Sequence, residues 1–547
     1  MKNNIQLAVV LVFILFGLSA CKSDNASTQK IFRYNESTGI ATMDPAFAKN
    51  QSIMWAVHQV YSTLVEVDKN LEIKPLLARG WRFSTDKRSI DFDLRTDVFF
   101  QHDAAFTNGI GRRLVAADVV YSFERIIAPA TASPGAWIFN GRVDTVKPFV
   151  ALNDSTFRLN LQKPFHPILG ILSMTYCSIV PREAVEKYGT QFRRHPVGTG
   201  PFRFLTWDEG QVLLLKKNEH YFEQDSTGHA LPYLDAVRIN FFDSKATEFL
   251  EFRQGRLDFI NDIDASFKDE VLTKTGNLKK QWQGKLQLHK HPYLNIEYFG
   301  ILQDTSNALL KQSPLRQKKI RQAINYGIDR TKMMLYLRNS IGTAALSGFV
   351  PQGLPSFNAD EVKGYHYNPV RALELLAEAG FPQGRGLPPI KLLTIPLYAN
   401  LATYVANELK QIGIPIQVEA IQKSLLLEQT AKSQALFFRG SWIADYPDAE
   451  NYLSVFYGNN PAPPNYTRYK NAAFDRLYEQ ALKEENDSLR YRLYRQMDKM
   501  IVEDAPVVPF WYDMVIHLVH NNISGFEPNA LNMLELRYTK KDAGLTH

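Results

Sequence analysis

The sequence predicts a mixed α/β protein built in two or more lobes. Three observations carry that expectation. The chain has 547 residues, and a single hydrophobic core stops growing near roughly 250–300 residues. Some short segments alternate apolar and polar residues, while longer ones repeat apolar residues with the helical period between recognisable caps. The composition is that of a globular protein, 45% hydrophobic and 22% charged, far from disordered or fibrous extremes.

From about Ile31 onward, strand and helix patterns interleave. Ile90, Phe92 and Leu94 alternate with Asp91, Asp93 and Arg95, the pattern of a half-buried strand. Phe157, Leu159 and Leu161 repeat it against Arg158 and Asn160. Asn368-Pro369 supplies an N-cap and a first-turn proline, Leu373, Leu376 and Ala377 line one face, and Gly380 closes the helix. Near the C-terminus, Leu489, Leu493, Met497, Met500 and Ile501 keep helical spacing after an Asp487-Ser488 cap, and Pro506 follows. Asp44-Pro45 and Gly198-Thr199-Gly200 read as turns. Proline- and glycine-rich stretches at 351–355, 382–389 and 459–464 read as surface loops, and no repeat at a solenoid period is present.

The first residues carry a processing signal. Lys2 precedes an apolar run over 5–16, and small residues then lead to Leu18-Ser19-Ala20-Cys21. The run is too short to span a bilayer, which needs ~20 residues. The ending resembles the lipobox of bacterial lipoproteins. That resemblance implies cleavage of residues 1–21 before Cys21, lipid on Cys21, and a polar tether over 22–29. Cys177 then has no disulfide partner and reads as a buried, inert thiol.

Charge and motif content exclude several classes. A net charge of +7 is thin on a chain this long, and no Lys/Arg block marks a nucleic-acid arm. The 25 Tyr and 34 Phe are enough both for a large core and for lining a cleft. There is no G-x-S-x-G elbow, P-loop or H-E-x-x-H motif. His289 and His291 share a strand face, but no third ligand follows at metal spacing. Asp262 and Asp264 read as a solvated acidic turn. The residues imply neither a catalytic set nor a cofactor.

Specificity comes from an ordered series of segments. Thr42-Met43-Asp44-Pro45 is followed by Tyr61-Ser62-Thr63-Leu64, Pro75-Leu76-Leu77-Ala78 and Ala117-Asp118-Val119-Val120-Tyr121-Ser122-Phe123. Then come Pro196-Val197-Gly198-Thr199-Gly200-Pro201-Phe202, Arg321-Gln322-Ala323-Ile324-Asn325, Leu375-Leu376-Ala377-Glu378-Ala379-Gly380-Phe381 and Trp442-Ile443-Ala444-Asp445-Tyr446-Pro447-Asp448. In this order the chain resembles the oligopeptide/dipeptide-binding family of ABC-importer solute-binding proteins, from about Phe32 to Phe526. The resemblance implies a two-lobed periplasmic-binding-protein fold with a hinge and an additional domain on the first lobe. Domain I would comprise 30–64, 198–285 and 505–547, domain II 65–197, and the second lobe 286–504. It further implies a monomer outside the cytoplasm, anchored to a bacterial membrane through Cys21, that delivers short peptides to permease and ATPase subunits.

The same resemblance suggests how a site would work. A binder with loose sequence preference reads the peptide's main chain, by strand addition, and its charged ends. Asp445 matches the family position that faces the ligand's α-ammonium, and Trp442 a Trp lining the adjoining side-chain pocket. Ser441 and Ile443 would form ladder bonds through their backbones. Arg439 corresponds to an arginine that can face the ligand's carboxylate. Lys49, Asn50 and Gln51 match the loop on the peptide's other edge, and Trp137 would approach from domain II. On the residues alone, Asp445-Tyr446-Pro447-Asp448 is an Asx-type turn and Trp442 is core. The stretch 101–113 is longer than the family's glycine turn and is expected near the cleft mouth. Alternatives are the same fold holding a nickel complex, haem or an oligosaccharide, a sensory lipoprotein without transport, and a surface peptidase, which lacks a nucleophile–base pair.

Overall fold

The computed structural model describes residues 29–263 and 265–542. The signal segment with Cys21, tether residues 22–28 and Asp264 lie outside them.

The expected alternating segments are strands. Ser89–Leu94 buries every second residue, and Thr156–Asn160 pairs with it antiparallel, Phe92 opposite Phe157. With Ala78–Phe83 and Phe149–Asn153 they form a four-stranded sheet. A second four-stranded sheet joins Ile31–Asn35, Ala236–Asn240, Val212–Lys217 and Phe202–Asp208. Its first pairing is parallel, Ile31 opposite Ala236, so the start of the described chain is completed by residues two hundred positions later. The turn at Gly200 has to be glycine. Its N–H donates to Val60 O at 2.8 Å, and an added Cβ would lie 2.5 Å from Val60 C.

The largest sheet has seven strands, among them two long ones, Leu286–Ile301 and Val507–His520. These pair antiparallel from Leu286 opposite His520 to Gly300 opposite Val507, with bulges between Pro292 and Ile296 and between Glu297 and Tyr298. At one end Val507–His520 takes Phe259–Asn261 as its other neighbour, and at the other end Phe437–Ile443 adds to Leu286–Ile301. The pair therefore runs through both lobes of the α/β body. The lobes also exchange side chains. Tyr446 is 2% exposed within the first lobe's core, and Leu71 is 3% exposed within the second's. The C-terminal segment returns to the first lobe, where Trp55 Nε1 donates to Asn532 O at 2.6 Å and Gln59 Nε2 to Leu534 O at 2.7 Å.

Two helices differ from expectation in the face they bury. Pro369–Glu378 is capped as expected, Asn368 Oδ1 accepting from Arg371 N at 3.0 Å, but it buries Ala372, Leu375 and Leu376 and leaves Ala377 exposed. Asp487–Asp504 starts from Asn486 and buries Arg490, Tyr494, Met497, Asp498 and Ile501, turning Leu489 to solvent. Apolar periodicity misses this face because two of its members are charged and partnered. Asp498 accepts from Phe349 N at 2.7 Å and Val350 N at 3.3 Å, and Arg490 Nη2 donates to Asp487 at 2.6 Å. Cys177 is buried, its Sγ 3.4 Å from Ile171 O. Among the described residues no helix is long and apolar enough to cross a membrane.

His166 makes one region acid-sensitive. Its ring stacks on Phe83 at 5.5 Å, and its backbone N–H donates to Leu482 O at 3.0 Å. Burial, then the charges of Arg490 and Lys87, push its pKa down to about 3. The unfolded chain takes up this proton near pH 6.5 and the folded one refuses it, so stability is lost as pH falls through that window. His166→Gln is expected to reduce the fall in melting temperature between about pH 7 and about pH 4. Equal falls in the two proteins would refute the assignment.

Candidate functional site

Between the lobes lies a cavity of about 1010 Å³. One wall is the turn after Phe437–Ile443, with Ile443, Ala444, Asp445, Tyr446 and Pro447; facing it are Lys49, Asn50 and Gln51 at the start of helix Gln51–Val60. Trp137, Met174 and Tyr176 close a third side.

Asp445 remains exposed to the cavity. The surrounding walls displace water from its carboxylate and raise its pKa, opposed by the hydrogen bond from Asn451 Nδ2 at 3.3 Å and by Arg142. Asn451 is itself fixed by Trp442, whose Nε1 donates to its Oδ1 at 2.9 Å. Trp442 thus stands behind Asp445, packed against the second lobe's core, and is not on the cavity wall. Tyr176, on the other side, is pushed up to about 12 by burial and by Asp445. Its ring fits because residue 135 is glycine; a Cβ there would lie 2.4 Å from the ring.

The strand leading to Asp445 has a free edge. Ala444 N donates to Leu294 O at 2.8 Å, and Leu302 N to Leu436 O at 2.9 Å, so even-numbered residues face Leu286–Ile301. Alternation then turns the N–H and C=O of Ser441 and Ile443 the other way. On that side Ile390–Thr394 covers the strand only where Leu393 meets Phe438. Among the described residues, no strand pairs the outer edge from Ser441 to Ile443.

Arg439 is spent inside the second lobe. It pairs through both nitrogens with Glu297, which is 0% exposed, and lies 3.8 Å over the ring of Tyr398. Burial raises the Glu297 pKa, against the pull of Arg439. Neither Arg439 nor the Ser441 side chain is on the cavity wall.

Asn50 caps helix Gln51–Val60, its Oδ1 accepting from Ile53 N at 3.2 Å. Gln51 accepts from Asn261 Nδ2 at 3.3 Å, and Lys49 is exposed. Trp137 is 37% exposed, with Arg142 5.8 Å from its ring and donating to its carbonyl at 2.8 Å. Stretch 101–113 is not on the cavity wall. It packs in the first lobe instead, Tyr188 Oη donating to Asp103 at 2.8 Å and Arg112 bridging Asp118 and Glu183.

The floor of the cavity is a charge cluster that motif reading misses. Arg537 is buried among Glu66, Glu223 and Glu535, and His58 Nε2 lies 3.1 Å from Glu535. Burial works to raise Glu535, but Arg537 and His58 hold it at about 2. Burial raises Glu66 despite Arg537. Tyr293 and Asn532 complete the wall. Segment 524–540, which supplies much of it, carries no periodicity; only Gly525, Pro528, Asn529 and Asn532 hint at loops. Among the described residues no group of His, Cys, Asp and Glu is arranged to hold a metal ion.

Comparison with known proteins gives the chain a context. The model of bacterial extracellular solute-binding proteins, family 5 Middle, matches residues 72–464. Heme-binding protein A of Haemophilus influenzae is 28% identical over 489 residues, 86% of this chain and 84% of that protein. The glutathione-binding protein of Escherichia coli O1:K1 is 26% identical over 498 residues, 89% of this chain and 90% of its own. The structure of HbpA2 from Haemophilus parasuis superposes with a TM-score of 0.82 at 21% identity, covering 94% of this chain and all of that one.

Proposed function

Because the chain belongs to family 5 of the bacterial extracellular solute-binding proteins, we propose that it captures short peptides between its lobes. It hands them to the permease and ATPase subunits of an importer, acting as a monomer tethered to the membrane by lipid on Cys21. It binds its ligand and does not transform it. The observation that carries the peptide reading is the free strand edge at Ser441 and Ile443, running directly into the cavity carboxylate of Asp445. A peptide added to that edge satisfies its main chain there and brings its α-ammonium to Asp445. Lys49, Asn50 and Gln51 face its other side, and Trp137 covers an adjoining side chain. Trp442 acts through Asn451 by orienting Asp445, and Arg439 stiffens the strand from within. The glutathione-binding relative, whose ligand is a small peptide, supports this reading. The lobes follow the division 30–64, 198–285 and 505–547 against 286–504, with 65–197 as the additional domain, and close by bending where the two long strands bulge.

Native mass spectrometry of the purified protein tests the proposal. Adducts that fragment as short peptides are expected, and they report ligand length directly. A single adduct with the mass of haem or another non-peptide solute would keep the fold and replace the ligand.

A further inference from the structure

Three histidines meet where the two long strands run side by side. His289 stands opposite His517 in the ladder, and His291 Nε2 lies 3.4 Å from His517 Nδ1. The other nitrogens of that pair have partners of their own. His291 Nδ1 is 3.1 Å from Pro292 O, and His517 Nε2 is 3.1 Å from Asn261 Oδ1. From there the contacts continue to the main cavity. Asn261 Nδ2 donates to Gln51 Oε1 at 3.3 Å, and Gln51 Nε2 reaches Asn532 O at 3.5 Å. Gln51 and Asn532 are both on the cavity wall.

This chain of contacts is one proton short. A carbonyl oxygen only accepts, so Pro292 O requires the proton of His291 on Nδ1, and Asn261 Oδ1 requires that of His517 on Nε2. A neutral imidazole carries one proton, which leaves the two nitrogens that face each other, His291 Nε2 and His517 Nδ1, both bare. One proton between them completes the chain. Without it, the neutral pair is satisfied in a second arrangement. His517 moves its proton to Nδ1 and donates to His291, and the Asn261 amide turns over to offer Nδ2 to His517 Nε2. Gln51 then turns as well, giving Nε2 to Asn261 and directing Oε1 towards Asn532 O. The nitrogen and oxygen of an amide are alike in shape, so hydrogen bonding alone separates the two arrangements.

The surroundings oppose the added proton. His517 is 1% exposed and packed by the rings of Phe259 and Phe526. Burial, then the charge of His291, holds His517 well below the usual histidine range, and burial takes His291 down to about 4. The charges that act on the pair are its own and that of His289. Carboxylates on the elements packed around it are engaged elsewhere: Asp258 with Lys541, Asp262 with the Ile263 N–H, Asp513 with Arg338, Glu527 with Lys69, and Glu535 with Arg537 and His58. The second arrangement therefore holds at neutral pH and the first in acid. In the second, Gln51 Oε1 and Asn532 O face each other as acceptors, beside Asn532 Oδ1, which is buried with no donor among the described residues. A peptide N–H arriving there meets acceptors that the protein itself leaves unmet. In the first, Gln51 Nε2 fills that gap.

We propose that His291, His517 and Asn261 are positioning residues for ligand capture: with the pair neutral, they turn the Gln51 amide so that its oxygen receives a peptide N–H beside Asn532, and a proton shared by the pair turns it back. The effect on binding rests on the peptide reading above; the proton count does not. Because peptide prefers the form without the shared proton, affinity falls as pH falls.

Nitrogen-15 spectra of the ligand-free protein, labelled at histidine, test the relay itself. At about pH 7 both His291 and His517 are expected to carry their proton on Nδ1, and acid is expected to add a single proton to the pair. A His517 proton on Nε2 at that pH would overturn the proposal. Calorimetric titration with peptides at about pH 7 and about pH 4.5 tests the consequence. Asp445 loses charge over the same interval in every variant, so the comparison is between proteins. Wild type is expected to lose roughly 3- to 10-fold more affinity than Gln51→Met. In His291→Phe nothing obliges His517 to donate from Nδ1, so the acid arrangement persists at neutral pH. Its affinity at about pH 7 should fall by that same factor, and its extra pH dependence should vanish. A melting curve accompanies each variant; if His291→Phe fails to fold, Gln51→Met carries the comparison. Folded variants whose pH profiles coincide with that of wild type would overturn the proposal. Failure of every peptide to bind would overturn the peptide reading, and the histidine spectra would still decide the relay.

Discussion

Asp445→Asn is expected to lower affinity for peptides with a free α-ammonium by roughly 10²- to 10³-fold, with the melting temperature of the empty protein unchanged. The substitution keeps shape and hydrogen bonding to Asn451 but removes the charge. In the empty protein Asp445 is exposed to the cavity, so its loss costs the fold little. Once the lobes close on a ligand, the ammonium is left buried without its counter-ion, and stranding one member of such a pair costs about 3–5 kcal/mol. N-acetylated peptides provide the internal control, since they lack the charge and should distinguish the two proteins far less. Titration of free and acetylated forms against both proteins checks this; equal affinity of Asp445→Asn for the free form would remove Asp445 from the site.

The largest effect on stability is expected at Glu297. Its carboxylate is fully buried and its partner Arg439 nearly so, the two joined through both oxygens, and Arg439 also lies over Tyr398. Glu297→Met leaves the guanidinium buried and unpaired, which should lower unfolding free energy by about 3–5 kcal/mol. The double variant with Arg439→Met should recover most of the loss, because a buried ion pair replaced by apolar side chains is often neutral. Urea denaturation of the wild type, Glu297→Met, Arg439→Met and the double variant gives the coupling directly. A single-variant loss below about 1 kcal/mol would show the pair to be far more solvated than its burial indicates. Peptide titration on the folded double variant separates the two roles of Arg439: retained affinity fits a stiffening role, and lost affinity a ligand contact.

The lobed α/β architecture and the family were legible in the sequence because both rest on local information. Alternation at Ile90, Phe92 and Leu94 is the strand itself, and ordered segments such as Trp442-Ile443-Ala444-Asp445 survive in short stretches. The cavity is less local. Asp445 and the Lys49-Asn50-Gln51 loop lie within recognisable motifs, whereas Tyr176 sits in an apolar run that reads as core. Arg537 and Asn532 lie in irregular loops with no period at all. The partnership of Arg439 with Glu297 spans 142 positions and joins neighbouring strands, so spacing could not announce it. The same holds for Arg490 and Asp498, which make a helix face polar because Asp448, 3.8 Å from Arg490, and the N–H groups of Phe349 and Val350, which Asp498 accepts, lie in other segments.

The return of the C-terminal segment to helix Gln51–Val60 has a consequence for timing. Trp55 and Gln59 find their acceptors 477 and 475 positions later, and Arg537 meets Glu66 across 471. The floor of the cavity therefore cannot assemble while the chain is still being made, and contacts of such separation form late and slowly. The floor thus belongs to the late part of folding, whereas the sheet of Ala78–Phe83, Ser89–Leu94, Phe149–Asn153 and Thr156–Asn160 draws all its strands from one short stretch and needs nothing from the C-terminal segment.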